Sequence, residues 1–365
     1  MRKIPVSEPF LGGNELKYVT DCIKTNWISS IGTYVTKFED MFKKFCGTKY
    51  ALATSNGTVA LHLAIEVLGI KSGDEVLVPD LTFVATANIV TYAKAKPVFV
   101  DIDPVTWTID IKDMEKKITK NTKAVIPVHL YGHPANMKEI VVLCRKYNLK
   151  IIEDAAESHG ALFNGKCVGS FGDFGAFSFY GNKIITTGEG GMLVTNSNKL
   201  YQEAKLLRNH GMSEKKKYWH PRIGYNYRMT NIQAAIGVAQ MENINKIISR
   251  KRKIASLYNK LLKDIQGITT PAEASWAFNV YWMYSILVNK EYGMNSVQLQ
   301  KKLDLSGIET RPFFYPLHNM PSYETREKFP VTERISSQGI NLPSSPLLKD
   351  EEIEYITDVI RKNYE

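Results

Sequence analysis

The chain has 365 residues, 44% hydrophobic and 23% charged, which suits a globular protein with two lobes or one large α/β domain carrying an appendage. No apolar run is long enough to span a bilayer and the N-terminal MRKIPVSEPF lacks the apolar core of a signal peptide, so we expect a cytosolic protein without a membrane segment. The net charge of +10 suggests anionic ligands, but the lysines are dispersed, which favours a solvated surface over a nucleic-acid patch.

Short apolar strands alternate with amphipathic helices between residues 50 and 210, a pattern typical of a largely parallel sheet covered by helices. Strands are predicted at 50–55, 75–79, 97–102, 123–130, 150–154, 174–179 and 191–196. Helices are predicted at 58–69, 82–93 and 137–148. The first part of the chain is therefore predicted to form an α/β domain.

The pattern changes after a long predicted helix at 231–262. A strand at 281–288, a helix at 296–308, the aromatic loop RPFFYPLH and a last helix at 349–363 follow. We place a domain boundary near residue 245. This gives a large domain of residues 1–245, which includes the N-terminal segment, and a smaller C-terminal α+β domain of residues 246–365.

Cysteine and histidine spacing does not indicate a metal centre. The cysteines, Cys22, Cys46, Cys144 and Cys167, are widely scattered and form no CxxC pair. We therefore expect reduced thiols, with neither a disulfide framework nor a bound metal. Several histidines are interpreted as structural residues: His129, His133, His159 and His210.

The segment SNGTVAL joins a predicted strand to a predicted helix through Ser55, Asn56, Gly57 and Thr58. Free N–H groups at a helix N-terminus attract anions, and glycine allows a phosphate to approach closely. Simple capping of the helix by Asn56 or Thr58 would explain the same residues. A phosphate site and an ordinary N-cap both remain open for this segment.

Asp154 ends the apolar strand in the segment IIEDAAES. Ligands of open α/β sheets bind at the carboxyl ends of the strands. A carboxylate that is partly shielded from water there would favour a protonated partner, such as a pyridinium nitrogen. A helix N-cap directly after the strand is an equally good interpretation from the residues alone.

The segment FSFYGNKIITTGEGGM places Lys183 five residues after Ser178, among aromatic and β-branched residues. Such flanks predict a buried amine with a lowered pKa, which is nucleophilic and forms Schiff bases with aldehydes. An aldehyde cofactor that also carries a phosphate and a pyridine ring would use all three segments. The combination therefore points to pyridoxal 5′-phosphate (PLP).

Six segments in a fixed order extend this interpretation over nearly the whole chain. They are NWISSIGTYVTKFE, SNGTVALHLA, IIEDAAES, FSFYGNKIITTGEGG, YNYRMTNIQAAIG and RPFFYP. In these segments the chain resembles the DegT/DnrJ/EryC1/StrS sugar-nucleotide aminotransferases, a branch of the fold-type I PLP enzymes. The resemblance implies a large domain with a mostly parallel mixed sheet, a smaller C-terminal domain, and PLP that cycles through pyridoxamine 5′-phosphate.

The resemblance also implies roles for individual residues. Lys183 matches the lysine that binds the cofactor covalently and transfers the proton, and Asp154 matches the acid that pairs with the pyridinium nitrogen. Phe83 matches an aromatic residue against the cofactor ring, and Glu157 faces the ring hydroxyl. Asn226 matches an asparagine that reaches the phosphate of a neighbouring subunit, which implies a homodimer with shared active sites. The complete predicted cofactor site is Ser55, Asn56, Gly57, Thr58, Phe83, Asp154, Glu157, Ser178, Lys183 and Asn226.

The implied reaction is transfer of an amino group from L-glutamate to C4 of GDP-4-keto-6-deoxy-D-mannose, giving GDP-perosamine for a surface glycan such as the O-antigen of lipopolysaccharide. Relatives with histidine at the position of Lys183 are 3-dehydratases, so the lysine favours transamination. A dTDP- or UDP-linked 4-keto-6-deoxy sugar, as in viosamine or bacillosamine synthesis, is the alternative substrate. The positive charge alone suggests a non-catalytic regulator or DNA-binding protein as another class.

Contacts with the sugar nucleotide are assigned to two segments that contain serines, aromatic residues and an arginine. Arginine can hold a diphosphate, and aromatic rings can pack on a sugar or base. The candidates are Trp27, Ser29, Ser30, Arg311, Phe313, Tyr315 and His318. Packing into the hydrophobic core between the lobes is the alternative for the aromatic members.

Overall fold

The computed structural model describes residues 3–364. Its helices are α1 (Glu15–Lys24), α2 (Thr33–Cys46), α3 (Gly57–Val67), α4 (Ala85–Tyr92), α5 (Ile111–Lys116), α6 (Met137–Lys146), α7 (Asn198–Arg208), α8 (Asn231–Leu262), α9 (Ser296–Leu305), α10 (Pro330–Gln338) and α11 (Asp350–Lys362). Its strands are β1 (Tyr50–Thr54), β2 (Glu75–Pro79), β3 (Lys96–Val100), β4 (Thr122–Val125), β5 (Lys150–Asp154), β6 (Leu162–Phe163), β7 (Lys166–Cys167), β8 (Phe174–Ser178), β9 (Gly191–Thr195), β10 (Ile268–Thr269), β11 (Ala277–Phe278), β12 (Tyr284–Val288), β13 (Arg311–Pro312) and β14 (Gly339–Leu342).

A seven-stranded mixed sheet forms the centre of the molecule, with the strand order β1-β9-β8-β5-β4-β2-β3. Strand β9 pairs antiparallel with both of its neighbours, whereas β8, β5, β4, β2 and β3 are parallel. The strands are short and almost entirely buried, as expected for a sheet covered on both faces. The predicted α/β class with a mostly parallel mixed sheet is confirmed.

Helices cover both faces of this sheet. One hydrophobic cluster contains residues of α2, α6 and the first part of α8, together with alternate residues of the strands. A second cluster contains residues of α3, α4 and α7 on the opposite face. The β5–β8 pair lies at the middle of the sheet, and its register matches Asp154 with Ala176. The carboxyl ends of these two strands therefore meet at the same edge, beside the N-terminus of α3.

The C-terminal part contains a four-stranded antiparallel sheet with the order β10-β12-β14-β13. Its core contains α9, α11 and the last turns of α8, including the buried residues Ile254 and Tyr258. Residue 245, where the sequence predicts a boundary, lies inside α8, which contributes to one cluster of the central sheet and to the C-terminal core. The division into residues 1–245 and 246–365 stays a prediction.

Local signals explain why α8 begins where it does. The Thr230 side chain accepts a hydrogen bond from the Gln233 N–H at 3.3 Å, and the Gln233 side chain accepts one from the Thr230 N–H at 2.9 Å. This reciprocal capping box satisfies two N–H groups that the first helical turn would otherwise leave unpaired. Across residues 3–364, no helix has the length and apolar character needed to cross a membrane.

Lys251 is a buried lysine in the middle of α8, with 3% of its surface exposed. Its Nζ donates a hydrogen bond to the Ser344 backbone oxygen at 2.7 Å. Burial lowers the pKa of Lys251 to about 7, whereas an unfolded lysine has a pKa of about 10.4. Between these values the unfolded chain binds more protons than the folded one, so the contribution of Lys251 to stability should rise with pH.

We expect the Lys251→Met variant to lose this pH dependence. From about pH 7 to pH 9, the free energy of unfolding of the parent protein should rise by roughly 2–3 kcal/mol relative to the variant, because each pH unit contributes about 1.4 kcal/mol. Urea unfolding at several pH values, followed by circular dichroism, measures the difference. Lys260→Met, at an exposed position of the same helix, should retain the parent dependence. Parallel curves for the parent and Lys251→Met would contradict the assignment.

Candidate active site

Lys183 lies in the turn that follows β8, and its side chain is 11% exposed. The Lys183 N–H donates to the Tyr180 carbonyl at 2.9 Å, and the following residues, Ile184 and Ile185, are buried. Burial lowers the pKa of the Lys183 amine, and the carboxyl groups of Glu157 and Asp154 oppose that change. The burial predicted from the flanking residues is confirmed, although Tyr180 itself is half exposed.

The side chains of Glu157 and Trp282 lie beside the Lys183 amine. Its Nζ lies 3.8 Å from Glu157 Oε1 and 3.8 Å from the centroid of the Trp282 ring. Glu157 Oε2 accepts a hydrogen bond from the Tyr131 N–H at 2.8 Å. Burial raises the pKa of Glu157 to about 7, against the opposing effect of Lys183. Glu157 therefore changes its protonation near neutral pH while it remains beside the amine.

Asp154 ends β5 and points into the same buried region. Asp154 Oδ2 accepts a hydrogen bond from Thr86 Oγ1 at 2.8 Å, and Oδ1 accepts one from the Ala156 N–H at 3.2 Å. Burial raises the pKa of Asp154, and these two hydrogen bonds oppose that effect. The next element after Asp154 is the short strand β6 and not a helix, so the structure does not support the alternative interpretation of this residue as a helix N-cap.

The N-terminus of α3 lies against the end of β8. A Cβ atom on Gly57 would be only 2.7 Å from the Ser178 Cβ, so only glycine allows this approach. Asn56 Oδ1 accepts the Val59 N–H at 3.0 Å, which makes Asn56 the helix cap. Within the described residues, the N–H groups of Gly57 and Thr58 donate no hydrogen bond. They are therefore free for an anion.

These features fit a phosphorylated pyridine aldehyde. The donor set combines a buried amine, a buried acid at a strand end and a glycine-lined helix N-terminus with free N–H groups. Phe83 adds an aromatic side chain that is 55% exposed. Its ring packs loosely against Phe314, with the ring centroids 5.9 Å apart. An exposed ring at a buried edge of the sheet suits stacking on a planar ligand.

Asn226 lies on the surface, in the loop before α8. Its Oδ1 accepts a hydrogen bond from Arg228 Nε at 3.0 Å. The next residue, Tyr227, accepts the Ser55 N–H through its backbone oxygen at 2.9 Å. The loop is thus attached to the phosphate-binding segment, while the Asn226 side chain is exposed.

The predicted sugar-nucleotide residues separate into exposed and buried members. Trp27 and Ser30 line a cavity of about 760 Å³ together with Arg208, and the Ser29 carbonyl accepts the Asn231 N–H at 2.6 Å. Arg311 and Tyr315 are exposed. The first group and the Phe313–Tyr315 region line different cavities.

Two of the predicted sugar-nucleotide residues, Phe313 and His318, are buried. Phe313 is 2% exposed and packs against Trp107 and Tyr131, at 5.2 and 4.9 Å between ring centroids. This is the core packing that the sequence left open as an alternative. The His318 ring is also buried, and its Nδ1 lies 2.6 Å from Asp80 Oδ2. His318 therefore anchors the aromatic segment to the end of β2, and a direct substrate contact by either side chain is not supported.

The histidines that were predicted to be structural lie in varied environments. His129 Nε2 lies 3.2 Å from Glu153 Oε2, and His133 Nδ1 lies 2.7 Å from the Pro134 carbonyl. His159 is fully buried among Phe42, Phe177 and Phe179. In the part of the chain that the structure describes, no three His, Cys, Asp or Glu side chains are grouped as metal ligands would be.

Sequence reasoning missed three residues that contact the site residues. Thr86 holds Asp154, Tyr131 holds Glu157, and Trp282 covers the Lys183 amine. Thr86 could have been noticed, because it follows Phe83 by three residues at the start of a helix. Tyr131 and Trp282 gave no local signal, since their positions depend on how distant segments meet.

Comparison with known proteins identifies the family. Residues 9–361 match the DegT/DnrJ/EryC1/StrS aminotransferase family. The chain is 48% identical to GDP-perosamine synthase of Escherichia coli O157:H7, over 100% of this chain and 99% of that protein. It is 46% identical to GDP-perosamine synthase of Vibrio cholerae, over 99% of each chain.

A solved structure agrees with these sequence comparisons. The structure of Helicobacter pylori PseC, an aminotransferase of pseudaminic acid biosynthesis, superimposes with a TM-score of 0.95 and 27% identity, covering 100% of this chain and 99% of that one. The predicted enzyme class, a sugar aminotransferase of the PLP-dependent kind, is confirmed. The chain belongs to the DegT/DnrJ/EryC1/StrS aminotransferase family.

Proposed function

We propose that the protein transfers an amino group from L-glutamate to C4 of GDP-4-keto-6-deoxy-D-mannose and produces GDP-perosamine. The observation that carries the chemistry is the buried Lys183 amine, 3.8 Å from Glu157 and in the same region as Asp154. The choice of a GDP-linked substrate rests on the name shared by relatives that are 45–48% identical along the chain. Use of the product in a surface glycan and a cytosolic location are part of the proposal.

The residues present would hold PLP at three points. When bound, PLP supplies an aldehyde that exchanges amines and a protonated ring that withdraws electrons from the reacting carbon. Asp154 would accept the N–H of the ring nitrogen, and the free N–H groups of Gly57 and Thr58, with the Ser178 hydroxyl, would bind the phosphate. Phe83 would stack on the ring face.

Lys183 would also move the protons of both half-reactions. Its lowered pKa increases the fraction of free amine at neutral pH, and only the free amine can accept a proton. The Lys183 Nζ would take the proton from Cα of L-glutamate and later give a proton to C4 of the sugar. Glu157 lies beside the amine and would stabilise its protonated form between these two events.

The active site would need two chains. Asn226 is exposed and carried by a loop that is attached to the phosphate-binding segment, a position from which it can reach a neighbouring copy. We propose a homodimer in which Asn226 of each chain completes the phosphate site of its partner.

The main test is the mass of the product. Purified protein with PLP and L-glutamate should convert GDP-4-keto-6-deoxymannose into a GDP-linked amino sugar, with release of 2-oxoglutarate. The parallel reaction with dTDP-4-keto-6-deoxyglucose should give little product. An amino sugar from the dTDP substrate alone would overturn the nucleotide assignment, and loss of water in place of gain of nitrogen would overturn transamination.

The Lys183→Ala variant should bind PLP without a borohydride-reducible bond, because the phosphate site remains while the amine is lost. Turnover should fall by about 10²- to 10⁴-fold or more, the usual effect of removing a positioned acid–base group. Absorbance spectra after borohydride treatment measure the bond, and product analysis measures turnover. Lys215→Ala, at an exposed position, serves as the control and should behave as the parent. Full activity of Lys183→Ala would contradict the mechanism.

The shared site can be tested with hybrid dimers of one Lys183→Ala chain and one Asn226→Asp chain. Each homodimer should be impaired, the second because a carboxylate beside the phosphate is repelled. If Asn226 serves the partner's site, a hybrid purified through two different tags contains one intact site and should show about half of the parent activity. If Asn226 serves its own chain, both sites of the hybrid carry a defect and activity stays at the level of the homodimers.

A further inference from the structure

Trp282 has no role in the functions described so far, yet its ring touches the reactive amine. The Lys183 Nζ lies 3.8 Å from the ring centroid, well inside the distance of about 6 Å at which a cation is attracted to an aromatic face. The side chain is 5% exposed, so little water screens the interaction. Tryptophan provides the strongest such attraction among the aromatic side chains.

The same indole also fixes the backbone that carries the lysine. Its Nε1–H donates a hydrogen bond to the Asn182 carbonyl at 2.8 Å, and Asn182 directly precedes Lys183. The indole thus holds the turn through its edge and the amine through its face. The ring and the lysine cannot shift independently.

Tyr131 also packs on the indole. The two rings are stacked, with centroids 6.2 Å apart and planes at 26°. Tyr131 has a left-handed backbone with φ of 52°, and its N–H holds Glu157, the other neighbour of the amine. Gly132 permits the close approach of this segment, since a Cβ there would lie 2.8 Å from the backbone nitrogen of Trp282. Strained residues with several fixed contacts are common at functional sites.

We propose that Trp282 is a positioning residue for the proposed aminotransferase reaction: its indole face holds the Lys183 amine in place and favours its protonated form. Two titratable side chains, Glu157 and Asp154, also favour the ammonium. His159, whose pKa is lowered to about 3 by burial, is neutral and adds no charge beside the amine. Trp282 therefore stabilises the ammonium in addition to the two carboxylates. Its contribution does not depend on pH, because the indole does not titrate.

The test uses fluorinated tryptophans placed only at position 282. Fluorine withdraws electrons from the ring face and weakens its attraction for a cation, while the shape and the N–H group remain. Each added fluorine should lower the apparent pKa of Lys183, by about one unit in total, which is roughly tenfold more free amine at a given pH. The pKa is measured on cofactor-free protein from the pH dependence of acetylation of the Lys183 peptide, followed by mass spectrometry.

The matched control is the same series at Trp276, which packs on Phe163 in the same hydrophobic cluster and should leave the Lys183 pKa unchanged. An unchanged pKa in the Trp282 series, or an equal shift in the Trp276 series, would overturn the proposal.

As a second measurement, Trp282→Phe keeps a ring face and should retain more turnover than Trp282→Leu; equal turnover of the two variants would also count against the proposal. The acetylation series needs no sugar nucleotide, so a failed amino-sugar assay would overturn the proposed function without deciding the role of Trp282.

Discussion

The structure depends on keeping an amine and two carboxyl groups together in a region that excludes most of the water. Each of these groups loses hydration on burial, and an unpaired charge there would cost several kcal/mol. The fold offsets the cost with specific partners: Thr86 and the Ala156 N–H for Asp154, and the Tyr131 N–H for Glu157. Lys183 is balanced by the two carboxyl groups and by an aromatic face. These partners offset only part of the cost of burial, so the pKa values of Asp154, Glu157 and Lys183 remain shifted. Such shifts suit acid–base chemistry near neutral pH.

The parallel strands explain how these groups come together from distant parts of the sequence. β5 and β8 are neighbours, so Asp154 and the turn after Ser178 emerge at one edge of the sheet. The antiparallel pairing of β9 with both β8 and β1 brings the start of α3 to the same edge. The C-terminal part then supplies Trp282, next to β12. A row of aromatic rings continues from Trp282 through Tyr131 and Phe314 to Phe83. This row links the amine to the exposed face beside the strand ends.

Much of this arrangement could be predicted because it is local in sequence. The central strands were found from short apolar runs, and Lys183 and Asp154 from their positions after such runs. The predicted strand at 123–130 is shorter, since regular pairing of β4 ends at Val125, two residues before Pro127, which lacks an N–H. Helices α1 and α2 were not predicted, although both pack on α8. The predicted substrate contacts of Phe313 and His318 stay predictions, and the burial of both side chains could not be predicted from the sequence. In a regular strand Phe313 and Tyr315, two residues apart, would face the same side. Strand β13 ends at Pro312, and only the fold shows that Phe313 is buried while Tyr315 is exposed.

Helix α8 gives the molecule a mechanical property. Its 32 residues correspond to a rod about 48 Å long at 1.5 Å per residue. Around residue 245 the rod contains neither proline nor glycine, the residues at which helices bend sharply. Residues of α8 belong to one hydrophobic cluster of the central sheet and to the C-terminal cluster, so a hinge between the two sheets would have to disrupt the helix or one of these clusters. The same helix therefore fixes the distance between the central sheet, whose strand ends carry Asp154 and the turn with Lys183, and the C-terminal part, which supplies Trp282.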